Sequence, residues 1–330
     1  MKRRNIFRLF VVVLFGFSLI YSSPWSYSQE VITAKFAHVA PPGHPWTPTG
    51  EKFINIVETQ SNGRIKIKYF PSGSLGSEYS NIEGIKMGQV DFTIVASPQI
   101  AQYASIWQVL EGPYLFRDRA HAYRVLDGAI GKELIDIAAQ KDVMVLAYWE
   151  IGMAQTINNK RLVNRVADMK GLKLRVMSSK ILMESMAVLG AIPTPMAYTE
   201  VYSALQQGVI DGEQNPTTTL ESGKRHEVCK YLTMNDQYYA CAPLIVNSKW
   251  MGKLSPDLKK IVMDAAAEGS IWIRKYVEEQ EKVALDKLLK AGVKASYPDK
   301  KEFIEATLPV YKKIGDVVPA EFVERIRSVK

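Results

Sequence analysis

The sequence predicts an α/β protein with two lobes arranged as a clamshell. Each lobe is expected to be a mostly parallel sheet flanked by helices, with one long helix spanning both lobes. Two observations support this prediction: strand and helix signals alternate along most of the 330 residues, and a very long helical pattern follows near the C-terminus. Such alternation is typical of parallel sheets covered by helices. The chain is also long enough to form two hydrophobic cores.

The first 28 residues have the pattern of a secretory signal peptide. A basic start precedes an apolar run, and Ser26 and Ser28 provide small residues before a cleavage site ahead of Gln29. This is the order found in cleaved export signals. The alternative is an uncleaved anchor, but the apolar run is short for a membrane span. We therefore expect an exported mature chain that does not span the membrane.

The charge balance argues against nucleic-acid binding. The whole chain carries a formal charge of +8, from 42 basic and 34 acidic residues, and four of the basic residues lie in the predicted signal. The mature chain is therefore only mildly basic, and its cations are spread along the sequence. Nucleic-acid binding usually requires a concentrated basic surface.

Cys229 and Cys241 are the only cysteines in the sequence. An exported compartment permits a disulfide between them, and two separate buried thiols fit the sequence equally well. Two cysteines without nearby histidine pairs make a poor metal site. We therefore expect no bound metal and no cofactor.

The first half of the mature chain alternates strands with helices. An amphipathic helix between the first two strands ends at Asn62-Gly63, a good C-terminal stop. The predicted strands are 31–40, 64–70, 90–96 and 142–150.

The second half repeats this alternation and ends in the long helix. The helical pattern of residues 255–292 begins at Ser255-Pro256 and ends at Ala291-Gly292, which are good start and stop signals. Its apolar spacing does not hold a strict heptad, so we expect a helix lying across two lobes rather than a coiled coil. The predicted strands are 171–176, a short strand near 191–196, 209–216 and 237–250, and the predicted helices are 178–190 and 199–208.

Two polar side chains end predicted parallel strands. Leu172, Leu174 and Val176 alternate with cations, so Arg175 lies on the opposite face of its strand. Asn215 ends the strand of residues 209–216. Ligands of open parallel sheets bind beyond the carboxyl ends of the strands. This position favours a cleft for both residues, although strand alternation alone would also fit an arginine on a solvated face.

Three stretches of the sequence resemble a known family of transport proteins. They are "ADMKGLKLRV", "GAIPTPMAYTEVYSALQQGVIDGEQNP" and "YFPSGSLGSEYSNIEGIKMGQVDF". All three resemble the solute-binding proteins of tripartite ATP-independent periplasmic (TRAP) transporters, and the resemblance extends from about residue 33 to residue 315. It implies a periplasmic protein that closes on a small organic acid and delivers it to a membrane permease.

The resemblance also implies which residues bind the ligand. Arg175 would pair with the ligand carboxylate, Asn215 would help to hold the same group, Tyr198 would line the pocket, and Glu78 would face the cleft. A guanidinium offers a planar fork of donors that matches the two oxygens of a carboxylate. The residues themselves suggest four weaker candidates for ligand contacts, and for Trp149 a place in the core fits equally well: Trp149, Gln155, His38 and Glu213.

The sequence departs from the family pattern at one position. Many members carry a second arginine shortly after the "W-x-x-G" stretch, and this chain has Ala154 and Gln155 there. A second anionic group would then lack a usual partner. We therefore expect a monoacid more readily than a dicarboxylate.

The sequence contains no recognisable catalytic motif, so we expect a binding protein and not an enzyme. The alternatives are an exported hydrolase and a ligand-binding sensor subunit. Lobe I is predicted to comprise residues 29–152 and 241–280, and lobe II residues 153–240 and 281–330. Hinges are expected near residues 150–154 and 236–242, where strands cross between the lobes.

Overall fold

The computed structural model describes residues 31–330, which form one compact unit. The predicted signal peptide lies outside the described residues. Within them, no helix combines the length and the apolar character needed to cross a membrane.

The predicted alternation of strands and helices is confirmed. The eleven strands of the described chain are β1 (Ile32–Ala37), β2 (Ile65–Phe70), β3 (Phe92–Ile94), β4 (Met144–Met153), β5 (Gln155–Asn158), β6 (Lys173–Val176), β7 (Ile192–Pro195), β8 (Gly212–Asn215), β9 (Tyr231–Thr233), β10 (Tyr239–Val246) and β11 (Lys294–Ser296). The helices that follow complete the two lobes.

The first seven helices lie between Trp46 and Gln206. They are α1 (Trp46–Gln60), α2 (Glu78–Met87), α3 (Ser97–Ile100), α4 (Arg119–Asp127), α5 (Ala129–Ala139), α6 (Lys180–Val188) and α7 (Val201–Gln206). The second group is α8 (Thr217–Ser222), α9 (Arg225–Val228), α10 (Ser248–Lys253), α11 (Pro256–Lys290), α12 (Lys300–Thr307), α13 (Pro309–Lys313) and α14 (Ala320–Ser328). Local signals set several ends; for example, Ser77 caps α2 by accepting from the Ser80 backbone N–H, and Gly88 ends it in the left-handed conformation.

The strands form two mixed sheets, one for each lobe. Lobe I contains a five-stranded sheet in the order β2-β1-β3-β10-β4, and lobe II a six-stranded sheet in the order β11-β9-β5-β8-β6-β7. The pairs of β1 with β2 and β3, and of β6 with β7 and β8, are parallel. The crossing strands β10 and β5 pair antiparallel with their neighbours. The two-lobed fold class is confirmed.

The chain crosses between the sheets at two places close to the predicted hinges. β4 of lobe I leads directly into β5 of lobe II, and β9 of lobe II leads through residues 234–238 into β10 of lobe I. The 35-residue helix α11 packs against α1 and β4 of lobe I and against α8 of lobe II. The predicted long helix therefore contacts both lobes.

Some predicted bounds were wrong because local geometry ends the strands early. The predicted strand 237–250 stops at Val246, where Asn247 caps α10 by accepting from the Trp250 backbone N–H. The two cysteines, whose pairing the sequence left open, are buried free thiols.

Candidate functional site

A cavity lies between the two lobes, at the carboxyl ends of their parallel strands. Its volume is about 410 Å³ when the space at its open mouth is included. Lobe I contributes residues that follow β1 and β3, including Val39 and Ala96, and lobe II contributes the ends of β6 and β8. Ile151 of β4 and Ala240 of β10, from the two crossing strands, complete the lining. The cavity therefore occupies the position that open parallel sheets offer to ligands.

Most of the cavity wall is apolar. Val39, Trp46, Ile151 and Met177 supply the larger side chains, together with three alanines. Polar groups reach the cavity at only six positions, and the lining residues there are His44, Glu78, Arg175, Tyr198, Asn215 and Thr219. A mostly apolar hollow with a few convergent polar groups is typical of a small-molecule site.

Arg175 is the only lysine or arginine among the described residues that line the cavity. Its side chain is 3% exposed, and its Nε donates to the Met196 carbonyl at 3.0 Å. That bond fixes the plane of the guanidinium. The Nη groups remain as donors, one of them 3.9 Å from the Glu213 carboxylate. A buried guanidinium with open donors is suited to bind a carboxylate.

Glu213 lies behind Arg175 and is absent from the cavity lining. It forms an ion pair with Arg225 and accepts a hydrogen bond from the Asn215 side-chain amide. Asn215 itself lines the cavity, and its amide nitrogen has a second proton to donate. The Tyr198 ring, also in the lining, lies 5.1 Å from the Arg225 guanidinium carbon. Arg225, Asn215 and Tyr198 thus fix the polar end of the cavity around Glu213.

Glu78 enters the cavity from the first turn of α2 in lobe I. One of its carboxylate oxygens accepts from the Ala96 backbone N–H at 2.6 Å. Burial raises the pKa of Glu78 to about 7, although that bond and the charge of Arg175 oppose the rise. Near neutral pH the carboxyl group can therefore either donate or accept a hydrogen bond.

Only one of the two histidines in this region reaches the cavity. His44 lines it, whereas His38 is buried beside it and bonds to the Tyr69 hydroxyl and the Ala40 backbone N–H. Burial lowers the pKa of both histidines to about 3. Both imidazoles are therefore neutral near pH 7.

Two other sequence candidates lie outside the lining. Trp149 packs edge-on against Phe53 and donates to the Ala266 carbonyl at 3.0 Å. Gln155 bonds to Asp236 at the crossing between the lobes. Neither side chain faces the cavity.

Sequence reasoning missed Trp46 and Thr219 as lining residues. Both lie in the first turn of a helix that follows a strand end, at Trp46 of α1 and Thr219 of α8. Position after a strand end was the one signal in the sequence that pointed to them.

Beside its apolar wall, the lining offers hydrogen-bond donors and acceptors. Among the described residues that line the cavity there is no serine or cysteine. In the described part of the chain, no group of three or more His, Cys, Asp or Glu side chains is placed to hold a metal ion. The arrangement is suited to binding a small anion.

Comparison with known proteins agrees with this geometry. Residues 36–316 match the family described as bacterial extracellular solute-binding protein, family 7 (DctP). The chain is 31% identical over 310 residues to the 2,3-diketo-L-gulonate-binding periplasmic protein YiaO of Escherichia coli K12, covering 93% of this chain and 92% of that protein.

Solved structures of similar proteins share the fold. A TRAP periplasmic solute-binding protein from Polaromonas sp. JS666 bound to D-erythronate has a TM-score of 0.88 at 32% identity, covering 91% of this chain and 99% of that chain. A TRAP periplasmic solute-binding protein from Sulfurospirillum deleyianum with bound succinate has a TM-score of 0.87 at 28% identity, covering 91% of this chain and 100% of that chain.

Proposed function

The chain belongs to family 7 of the bacterial extracellular solute-binding proteins, and we propose that it captures a small organic acid between its lobes and delivers it to a TRAP membrane permease. Proteins of this family bind solutes for transporters and are not enzymes. The binding function is therefore favoured over an exported hydrolase. A sensor subunit would share the same site and differ only in its partner.

The observation that carries the proposal is the buried Arg175 in the cavity. Among the described residues, its Nε donates to the Met196 carbonyl, and the Glu213 carboxylate lies 3.9 Å from one Nη. A ligand carboxylate would complete its hydrogen bonds, and each charge-assisted bond contributes about 1.5–3 kcal/mol. Asn215 and Tyr198 support the same end of the cavity, and Glu78 faces it from the other lobe.

We further propose that the ligand carries one carboxylate. Arg175 is the single cation among the described lining residues, and Ala154, at the position of the family's second arginine, is completely buried. Gln155 is already bonded to Asp236. A second carboxylate would lie against apolar wall or against Glu78, which is unfavourable for a charge removed from water.

We propose a periplasmic location and capture by hinge closure. The periplasmic relatives and the predicted signal peptide support the location. The crossings at β4–β5 and β9–β10 support hinges near residues 150–154 and 236–242. A ligand held by both lobes binds the closed form more tightly and so shifts the population towards it.

The proposed lobe boundaries need one adjustment at the C-terminus. Residues 281–330 are assigned to lobe II by the sequence, yet Arg325 of α14 pairs with Glu133 of α5. His121 of α4 also bonds to the Ile326 carbonyl at 3.0 Å. These contacts favour placing α14 on lobe I.

Mass spectrometry of the natively purified protein tests the proposed function directly. We expect a retained monocarboxylic acid, and titration calorimetry with that acid should show one saturable site per chain without turnover. Repeated failure of organic acids to bind the folded protein would contradict the proposal.

A further inference from the structure

A hydrogen bond crosses the cavity between the two lobes. His44, in the loop before α1 of lobe I, lies with its Nε2 3.0 Å from the Oγ1 of Thr219 in α8 of lobe II. Both side chains are buried and both line the cavity. The bond therefore links the two lobes across the cavity.

The direction of this bond follows from the other nitrogen of His44. The Trp46 backbone N–H donates to the His44 Nδ1 at 3.1 Å, so Nδ1 is the acceptor. A neutral imidazole carries one proton, which must then be on Nε2. His44 therefore donates and the Thr219 oxygen accepts.

Because the Thr219 oxygen accepts from His44, the hydroxyl proton of Thr219 remains available for donation to another group. In the part of the chain that the structure describes, His44 is the only hydrogen-bond partner of the Thr219 hydroxyl. The residue lines a cavity whose remaining wall is mostly apolar. An O–H donor that faces such a cavity is available to a ligand oxygen, and leaving it unpaired beside a bound ligand is costly.

We propose that Thr219, oriented by His44, selects acids that carry an oxygen acceptor in addition to the carboxylate. This inference rests on the proposed function, since it assumes that Arg175 and Asn215 take the carboxylate. The substrate class is then a hydroxy or oxo monocarboxylate and not a plain alkanoate. The Thr219 hydroxyl donates to the extra oxygen, and Glu78 faces the same ligand from lobe I.

His44 acts on the ligand through Thr219 and is therefore a positioning residue. Its neutral state matters because a protonated imidazole could not accept from the Trp46 N–H. Trp46 packs edge-on against the His44 ring, Thr219 accepts its hydrogen bond from lobe II, and the charge of His38 acts in the same direction as burial. Burial accordingly lowers the pKa of His44 to about 3.

The test measures discrimination between acids of matched chain length. The probes are D-erythronate against butyrate and galactonate against hexanoate, by titration calorimetry. Wild-type protein is expected to bind at least one oxygenated acid about 10- to 100-fold more tightly than its partner, from the cost of an unpaired donor. Thr219→Val should abolish most of that ratio, and Thr219→Ser should preserve it.

Thr218 provides a matched control. Its hydroxyl is buried one position earlier in α8, has no hydrogen-bond partner among residues 31–330 and is absent from the cavity lining. Thr218→Val should leave both the affinity and the discrimination unchanged. Thermal unfolding of all variants reports whether they fold.

The outcomes separate this inference from the proposed function. Oxygenated acids bound equally well by wild type and Thr219→Val would overturn the inference and leave acid binding intact. Failure of wild type to bind any of the four acids would count against both. Nitrogen NMR of the imidazole gives an independent check, because a His44 proton on Nδ1 instead of Nε2 would overturn the orientation argument.

Discussion

The Glu213 carboxylate lies 3.9 Å from Arg175 Nη1, and both side chains are nearly completely buried. This distance is beyond a hydrogen bond, so Glu213 offsets the charge of the arginine without occupying its donors. Arg225 forms the closer ion pair with Glu213. The charge of Arg175 is therefore balanced by a nearby carboxylate, while its Nη N–H groups remain available to hydrogen-bond with a ligand.

Substitution of Arg175 should abolish ligand binding. Arg175→Ala removes the carboxylate partner, and we expect the affinity for the native acid to fall beyond detection in calorimetry. Arg175→Lys keeps the charge but loses the planar fork, so it should bind about 10- to 100-fold more weakly. Circular dichroism must show that both variants are folded. Near wild-type affinity of Arg175→Ala would refute the assignment of this residue.

Substitution of Glu213 should weaken the fold more than the site. Glu213→Gln leaves two buried arginines without their counter-ion, and breaking a buried ion pair in this way costs about 3–5 kcal/mol. Chemical denaturation measures the loss. The control is Glu227→Gln, on an exposed carboxylate of α9 that bonds to Tyr202. An equal, small effect of both substitutions would show that Glu213 is not the structural counter-ion.

The sequence located the charged end of the cavity because strand geometry determines it. Arg175 and Asn215 end parallel strands, and the carboxyl ends of neighbouring parallel strands meet at one edge of a sheet. Glu213 shares a face of β8 with Asn215 by the two-residue period. The period could not show that Glu213 would turn to Arg225 and away from the cavity.

The sequence could not assign the residues around the hinge. Trp149 lies in an apolar strand whose two faces are both buried, and alternation cannot tell which face meets the cavity. Gln155 is bonded to Asp236, a residue 81 positions away. Trp46 and Thr219 line the cavity from different lobes, and the packing of one lobe against the other leaves no periodic signal in a sequence.

Ligand affinity should depend on pH through Glu78. Glu78 faces Arg175, Tyr198 and His44 in the cavity, with the Arg225–Glu213 ion pair behind them. Burial raises the pKa of Glu78 to about 7. A bound carboxylate adds a second negative charge opposite the single arginine, so it favours the protonated form of Glu78 and raises this pKa further.

The sign of the dependence follows from proton uptake on binding. Affinity should be constant well below pH 7 and fall as pH rises through 7, by up to about tenfold per unit for one proton. Calorimetry from pH 6 to 8.5, in buffers of different ionisation enthalpy, measures both the affinity and the proton uptake. Glu78→Gln carries no titrating group and should flatten the profile. An unchanged slope in that variant would assign the dependence to another residue.

Gly152 should be required at the first crossing between the lobes. Its φ of +136° lies in a region that residues with a Cβ rarely adopt, and a Cβ there would approach the Pro216 Cβ to 2.9 Å. Gly152→Ala should therefore lower the free energy of unfolding by about 1–3 kcal/mol. It should also alter the closure of the lobes, measured as the change in radius of gyration on ligand addition. Gly171→Ala, which also has positive φ but open space around the Cβ position, controls for backbone strain alone. Equal effects of the two substitutions on closure would argue against a hinge at Gly152.

The close contact between α11 and β4 should make Gly269 intolerant of a methyl group. A Cβ at Gly269 would lie 2.7 Å from Trp149 Cζ2, and the Trp149 Nε1 already bonds to the Ala266 carbonyl one turn earlier. Glycine-to-alanine changes inside helices normally stabilise by up to about 1 kcal/mol, but overpacking costs about 1–3 kcal/mol. We expect the second effect to dominate, so Gly269→Ala should lower the free energy of unfolding measured in urea.

Gly252→Ala in α10 is the matched control, because its Cβ would meet nothing within 4 Å, and it should stabilise the protein. Stabilisation by both substitutions would mean that the long helix does not pack this closely on the strand that leads into the hinge.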